Sequence, residues 1–468
     1  MVEASADRAN MGFIGAIVAV ATIGGFLFGY DSGAVNGTQE GLRTTFQLSD
    51  SGLGFTVGSL LIGCFIGAFL AGRLADLFGR RNVMMVAALL FLGGALTQGF
   101  AHDHTLFVIA RLIGGMAVGA ASVLSPAYIS EVAPASVRGR LTTLQQIMII
   151  IGLTIAFLVN YFLAAAAGES TAPFWAGIEA WRWMYLMQAV PAAIFLLALA
   201  MIPESPRYLV SKGRNDKAES VLTKLYGSGI ARSKLDEIRG TFAEDHRPRL
   251  SDLKGNGFLG IRPIVWAGIM LAVFQQLVGI NVIFYYGETL WKLAGVSEQA
   301  ALERNILSGA VSILACIGTI LVIDKIGRKP LLLIGSAGMA VSLFAMAYAF
   351  HSGALDPSGN LTLTPNMGMV ALVAANLYVI FFNGTWGPVM WVMLGEMFPN
   401  QIRGSALAVA GFAQWFANYL IAQTFPIMAG WSLTGSYLFY AVSAVISFFL
   451  VQGMVRETRG KELEHMEG

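Results

Sequence analysis

The chain has 468 residues, 56% of them hydrophobic and 12% charged, with a mean hydropathy of +0.66. A soluble domain carries about 25% charged residues, so this composition excludes an ordinary soluble globule and points to an all-α, polytopic membrane protein. A net charge of +2 offers no surface for nucleic acid, and the two cysteines, Cys64 and Cys316, both inside apolar runs, exclude a disulfide framework and a thiolate metal site.

Counting apolar runs of about 20 residues predicts twelve transmembrane helices, over 12–33, 53–73, 83–101, 106–130, 141–163, 184–202, 262–290, 305–323, 331–350, 366–394, 405–427 and 434–454. The N-terminus has one Arg balanced by two acids and lacks the basic start of a secretory signal, so the first run reads as a retained span. Short loops after the even-numbered spans carry Arg73, Arg80, Arg81, Arg138, Arg140, Lys325, Arg328, Lys329 and Arg403, whereas the opposite side carries only Arg43, Arg182, Lys292 and Arg304. By the positive-inside rule both termini are cytoplasmic.

A polar insertion separates spans 1–6 from spans 7–12. The expected organisation is an N-terminal six-helix half over 1–202, a cytoplasmic helical linker over 203–261, a C-terminal half over 262–455 and a cytoplasmic tail over 456–468. Within the linker, Asn215–Tyr226 and Ser233–Phe242 read as short amphipathic helices, the second with Ser233 as its N-cap and an apolar stripe of Leu235, Ile238 and Phe242. The single GxGxxG match, Gly255–Gly260, follows a polar stretch instead of a strand and reads as chance in a Gly-rich chain. All five histidines fall outside the spans, and neither HExxH nor a Walker A sequence occurs. No metal, cofactor or catalytic constellation is expected.

The two halves repeat. Asp76-x-x-Gly79-Arg80-Arg81 recurs 248 residues on as Asp324-x-x-Gly327-Arg328-Lys329, and Glu131 with Arg138-Gly139 recurs 265 residues on as Glu396 with Arg403-Gly404. Glu204-Ser-Pro-Arg207 is echoed, 253 residues on, by Glu457-Thr-Arg459. Loop topology explains the bases but not their fixed acidic partners. The clusters therefore read as a gate on the basic side: Asp76, Arg80, Arg81, Glu131, Arg138, Glu204 and Arg207 in the first half, and Asp324, Arg328, Glu396, Arg403 and Glu457 in the second. Duplicated parallel halves with a mid-membrane site between them are a transporter architecture.

Polar residues inside spans default to function, because they are costly in hydrocarbon. Phe274–Asn281 reads FQQLVGIN and sets Gln275, Gln276 and Asn281 in an apolar segment; on a continuous helix Gln276 and Asn281 lie five positions apart. Amides both donate and accept, which suits a polyhydroxylated ligand, although interhelical hydrogen bonding is an equal alternative for this stretch alone. Gln145, Gln146 and Asn160 in span 5 and Gln414, Trp415 and Asn418 in span 11 add to the set, and Trp386-Gly-Pro388-Val-Met-Trp391 in span 10 marks a helix break. Trp391 and Trp415 suit the C–H faces of a sugar. Asp31 falls near the outer end of span 1 and Arg111 at similar depth in span 4, a carboxylate–Arg pair that could exchange for a proton. Gly54, Gly58, Gly63 and Gly67, with Gly115 and Gly119, read as close helix contacts.

Taken together, DLFGRR (76–81), EVAPASVRGR (131–140), PESPR (203–207), FQQLVGIN, DKIGRK (324–329), GPVMW (387–391), GEMFPNQIRG (395–404) and AQWFANY (413–419) resemble the sugar porter branch of the major facilitator superfamily, over essentially the whole chain. It looks most like the bacterial proton-linked pentose and hexose symporters. The resemblance implies two pseudo-symmetric six-helix halves and a monosaccharide site formed by Gln146, Gln275, Gln276, Asn281, Trp391 and Gln414, with Trp415 adjacent. It also implies proton coupling through Asp31 and Arg111 and a cytoplasmic helical bundle in the linker. Ser312 stands where relatives place a sugar-binding Asn, Arg456 stands where they have Pro, and Leu77 replaces a commonly basic residue. The expected activity is proton-coupled uptake by a monomer in a bacterial inner membrane. A sugar uniporter is the alternative, and a non-transporting receptor or a membrane enzyme fits less well.

Overall fold

Asp103, Ser297, Thr364 and Ser432 each turn a side-chain oxygen onto the backbone N–H three residues on, and each thereby starts a membrane-length helix. These caps explain why the helices outrun the apolar stretches. Span 8, expected from 305, is helical from Glu298 because Ser297 caps it there. The computed structural model describes residues 9–244, 250–355 and 361–458.

Helices α1 (Met11–Asn36), α2 (Gln39–Phe46), α3 (Asp50–Phe78), α4 (Arg80–Phe100), α5 (His104–Val132), α6 (Ala135–Ala167), α7 (Ala180–Leu186) and α8 (Ala189–Met201) come first. The linker holds α9 (Pro206–Ser211), α10 (Asn215–Tyr226) and α11 (Ser228–Glu244). Then follow α12 (Pro263–Leu277), α13 (Ile280–Leu293), α14 (Glu298–Ile326), α15 (Arg328–His351), α16 (Pro365–Phe381), α17 (Gly387–Met397), α18 (Asn400–Trp431) and α19 (Leu433–Met454). Combining α7 with α8, α12 with α13 and α16 with α17 leaves twelve segments long and apolar enough to cross a membrane. The twelve expected spans are all present among the described residues, the largest departures among their starts being at span 8 (Glu298 against 305), span 5 (Ala135 against 141) and span 11 (Asn400 against 405). One small departure from an all-helical chain is a two-residue antiparallel ribbon, β1 (Ala354–Leu355) with β2 (Leu361–Thr362).

The linker is helical, and α10 has the expected bounds. The second linker helix needs correction: Gly227, at φ +81, ends α10, and α11 starts at once with Ser228. Ser233 is an exposed residue inside α11, not its cap, and the Phe242 side chain lies outside the described residues. Helix α9, not anticipated, is capped by Ser205 Oγ on the Tyr208 N–H. The linker braces α5, since Tyr226 Oη donates to the Val132 carbonyl at 3.0 Å. The Gly255–Gly260 stretch closes on itself through Gly255 N–H to Gly260 O at 2.9 Å, a plain surface loop.

Contacts divide the described chain into two units that do not coincide with its two sequence halves. Unit 1 is Met1–Tyr30, Ile62–Gly152 and Tyr185–Arg247, and unit 2 is Asp31–Leu61, Leu153–Met184 and Pro248–Gly468. In unit 1, glycines let backbones touch: a Cβ on Gly63, Gly67 or Gly119 would stand about 2 Å from the Leu112, Met116 or Cys64 carbonyl oxygen. In unit 2, the ends of α1, α3 and α6 are tied to C-terminal helices. Asn36 Nδ2 donates to Phe284 O at 2.9 Å, Gln423 Nε2 to Ser51 O at 3.1 Å, and Tyr161 Oη to Glu303 Oε1 at 3.2 Å.

The repeated acidic motifs make the same corner twice. Gly79 and Gly327 both adopt φ +101, a conformation glycine tolerates, and each turns the chain from one membrane helix into the next. The first backbone N–H groups of the following helix then meet a carboxylate. Glu204 accepts from Arg81 N (3.1 Å) and Asn82 N (3.4 Å); Glu457 accepts from Arg328 N (3.1 Å) and Lys329 N (2.9 Å). An acid at a helix N-terminus satisfies orphan donors and complements the helix dipole. Replacing Glu457 by alanine is expected to cost about 1–2 kcal/mol, read as a lower midpoint of thermal unfolding in detergent. An unchanged midpoint would show that the cap contributes nothing.

Candidate functional site

The helix carrying FQQLVGIN is not continuous. Gly279, at φ +85, separates α12 from α13, and a Cβ there would lie 2.7 Å from the Tyr440 ring. The break frees carbonyls that hydrocarbon would leave unsatisfied, and a neighbour answers: Tyr378 Oη donates to Val278 O at 2.7 Å. The expected five-residue helical offset between Gln276 and Asn281 is thus replaced by a corner that brings their side chains into direct contact, with Asn281 Nδ2 donating to Gln276 Oε1.

Span 10 is also irregular. A π-helical turn over Phe382–Trp386 precedes Gly387-Pro388, one turn earlier than the predicted break. Gln275 Nε2 donates to the carbonyls of Trp386 and Gly387, at 3.2 and 3.4 Å. Trp386 is itself pinned, its indole N–H bonding to Leu332 O and Ser336 Oγ, both at 3.0 Å. Two interrupted helices therefore lie side by side in unit 2.

From this junction the amides form a relay. Gln275 Oε1 accepts from Gln276 Nε2 (3.3 Å) and Gln414 Nε2 (3.2 Å). Asn281 Nδ2 also donates to Asn418 Oδ1 at 2.8 Å, and Asn418 Nδ2 reaches Tyr285 Oη at 3.3 Å. Gln414 Oε1 is buried without a hydrogen-bond partner. Four expected residues, Gln275, Gln276, Asn281 and Gln414, are thus brought together. Trp415, next to Gln414, is buried, whereas Trp391 is 40% exposed and presents much of its ring.

The relay also includes Asn418, read among the amides of span 11 but not among the residues the resemblance implies, and Tyr285, which the sequence reading did not place in the site. Asn418 follows Gln414 by four residues on α18, so helical spacing could have put both on one face. Tyr285 carried no such signal. Asn383, inside the π turn, was missed too: its Nδ2 donates to Ser312 Oγ at 3.2 Å, so a carboxamide lies beside the position where the expected asparagine is absent.

Gln146 is half-buried on α6 in unit 1, while its neighbour Gln145 is buried against Gly25 with neither amide atom bonded. Arg111 is buried in unit 1, with Nη1 3.3 Å from Gln98 Oε1 and the guanidinium 6.0 Å from the Tyr185 ring centroid. Asp31 belongs to unit 2. Hydropathy puts it near the end of span 1, but α1 runs on to Asn36, and Asp31 is fully buried.

The gate residues form two matched clusters. In unit 1, Arg80 pairs with Asp76 (2.9 Å) and Glu131 (3.1 Å), and Glu131 accepts from Ser205 Oγ. In unit 2, Arg328 pairs with Glu396 at 2.9 Å, and Glu396 accepts from Thr458 Oγ1 at 2.6 Å. Arg81 caps the end of α8 through Leu199 O at 3.0 Å, as Lys329 does for α19 through Gln452 O. Glu204 and Glu457 serve the helix caps described above, and Arg207 lies half-buried in α9. Arg403 donates to the Phe398 carbonyl, at 3.1 and 3.3 Å, and Glu396 is taken by Arg328 instead. Arg138 and Asp324 fall outside the described side chains.

Comparison with known proteins identifies the family and the fold. Residues 17–468 match the family model for sugar (and other) transporters. The chain is 45% identical to a glucose transport protein of Synechocystis sp., over 99% of this chain and 98% of that one. It is 40% identical to the D-xylose-proton symporter of Escherichia coli K12, over 98% and 96% of the two chains. Its structure matches the inward-open conformation of the xylose transporter XylE from E. coli with a TM-score of 0.81 at 38% identity, covering 97% of this chain and 99% of that one. A full-length family match, close relatives and a shared fold lead to one conclusion: the chain belongs to the sugar transporter family of the major facilitator superfamily.

Proposed function

We propose that this protein carries a monosaccharide, a hexose or a pentose, across the bacterial inner membrane by alternating access, together with a proton. The observation that carries the reading is the amide relay at the broken helices α12/α13 and α16/α17. It supplies donors and acceptors in a row, with Gln414 Oε1 still able to accept. Sugar hydroxyls need that mixture, and Trp415 and Trp391 offer ring faces to the C–H surfaces. Gln146 is the contribution proposed for the N-terminal half.

Proton coupling is assigned to Asp31 with Arg111, since a fully buried carboxylate inside a membrane helix is the residue whose charge state a conformational change can most readily alter. The paired clusters at Arg80–Glu131 and Arg328–Glu396 are the proposed latches of the cytoplasmic side, and the face bearing few basic residues is the outer side. Being partly buried, these pairs weigh more in a two-state balance than exposed ones, which contribute about 0–1 kcal/mol. The protein works as a monomer and transports without chemical change. Its printed relatives, a glucose transport protein and a D-xylose-proton symporter, support both the substrate class and the coupling.

Uptake of radiolabelled D-glucose and D-xylose into proteoliposomes tests the reading. Accumulation above the external concentration, driven by an inward proton gradient and abolished by a protonophore, is expected for at least one sugar. Asp31→Asn should lose that accumulation while retaining exchange of labelled for unlabelled sugar; active uptake by this variant would remove Asp31 from the coupling role. Gln276→Ala deletes both the acceptor and the donor at the centre of the relay. It is expected to raise the apparent KM about tenfold, the equivalent of about 1.4 kcal/mol, and an unchanged KM for every transported sugar would place the substrate elsewhere.

A further inference from the structure

Glu288 stands on α13, nine residues past the Gly279 break, and is 1% exposed. Its surroundings belong to unit 2, where the end of α1 and the short helix α2 meet α13. Asn36 plugs this meeting point: its Oδ1 accepts from Glu288 N at 3.0 Å and Asn305 Nδ2 at 2.7 Å, while its Nδ2 reaches Phe284 O. Nearby, Thr289 Oγ1 donates to Gln39 Oε1 at 2.7 Å. This is a closed clamp.

Inside the clamp the Glu288 carboxyl is poorly served. Oε1 lies 3.8 Å from Lys292 Nζ, but that ammonium is nearer to Glu40 Oε2, at 3.1 Å, and Oε2 of Glu288 has no hydrogen-bond partner. The other charged groups facing it, Glu40 from α2 and Glu298 from the start of α14, are both acids. A buried carboxylate needs a close cation and a full set of donors to remain ionised. Here it has one shared cation and two like charges.

We infer that Glu288 is a second proton-binding residue, neutral while the outer clamp is closed and ionised when the clamp opens. Opening parts α13 from α1 and α2, admits water to the carboxyl and leaves Lys292, one helical turn away, as its neighbour. The proton leaves to the outer solution and returns from it, so Glu288 adds nothing to the number of protons carried per sugar. What it changes is the balance between states. The closed state holds one more proton, so acid favours closure and rising pH favours opening, by up to tenfold in the open-to-closed ratio per pH unit. The inference rests on the alternating-access reading above, but its readout requires no sugar.

The test uses the full-length protein in liposomes, with Cys64 and Cys316 replaced by alanine and spin labels on Thr45→Cys and Gln299→Cys, which report across the clamp. Dipolar distances are recorded between pH 5 and pH 9. In the Asp31→Asn background, which removes the coupling residue's own titration, the longer-distance population is expected to grow with pH, and to stay small at every pH when Glu288→Gln is added. Lys292→Gln removes the cation that favours ionisation, so its transition should move upward by about one pH unit; a purely structural role would not dictate that direction. A pH response that survives Glu288→Gln in the Asp31→Asn background, no response in Asp31→Asn itself, or a downward shift in Lys292→Gln would each overturn the inference. Should Glu288→Gln fail to fold, the direction of the Lys292→Gln shift decides.

Discussion

Everything in this structure answers to one constraint: within hydrocarbon, each backbone N–H and C=O must find a partner inside the protein. Continuous helices meet it automatically. Interrupted helices meet it only where side chains stand ready, and both interruptions of the C-terminal unit are met in this way. Tyr378 serves Val278, and Gln275 serves Trp386 and Gly387. The polar side chains drawn in to satisfy the backbone form the same cluster that is proposed to hold the sugar. Structural and binding roles are therefore compatible for these amides, and serving the backbone does not remove them from the proposed site.

The relay also has a thermodynamic character suited to transport. Its amides bond to one another, so in the proposed role a sugar would exchange existing hydrogen bonds for new ones, with a net gain per bond near the modest value of about 1 kcal/mol typical of such exchanges. A carrier that must release its cargo on the far side is served by moderate affinity. The unpartnered Gln414 Oε1 is the exception, and there a donor from the ligand would relieve a buried, unmet acceptor.

Much of this was legible in the sequence. Twelve spans follow from hydropathy because a membrane helix must be long and apolar, and the Gln275, Gln276, Asn281 and Gln414 cluster follows from the cost of amides in lipid. The repeated acids announced the duplicated corners, but not their local chemistry. Nothing in the motif Arg403-Gly404 says that this guanidinium turns to the Phe398 carbonyl instead of Glu396. Helix starts were misjudged at Ser297 and Ser233 because hydropathy is blind to whether a hydroxyl meets the N–H three residues on. Tyr285 and Asn383 were missed for a different reason: the Gly279 corner and the π turn rotate side chains away from where helical periodicity would put them. The division into units was likewise invisible, since it cuts the continuous helix α1 between Tyr30 and Asp31.

The twin corners differ in one respect that concerns synthesis. In the first, the cap on α4 comes from Glu204, which leaves the ribosome about 120 residues after the helix it serves. In the second, the cap on α15 comes from Glu457, a similar distance later but beyond α19. The first corner can therefore be completed while more than half of the chain is still unmade. The second waits for the last described residues, with Thr458 then closing on Glu396. During membrane insertion the N-terminal helices can reach their final bonding early, whereas α15 and the Arg328–Glu396 pair must pass through the translocon and into lipid with an open helix end. Nascent chains arrested before residue 457 would hold a finished first corner and an unfinished second one.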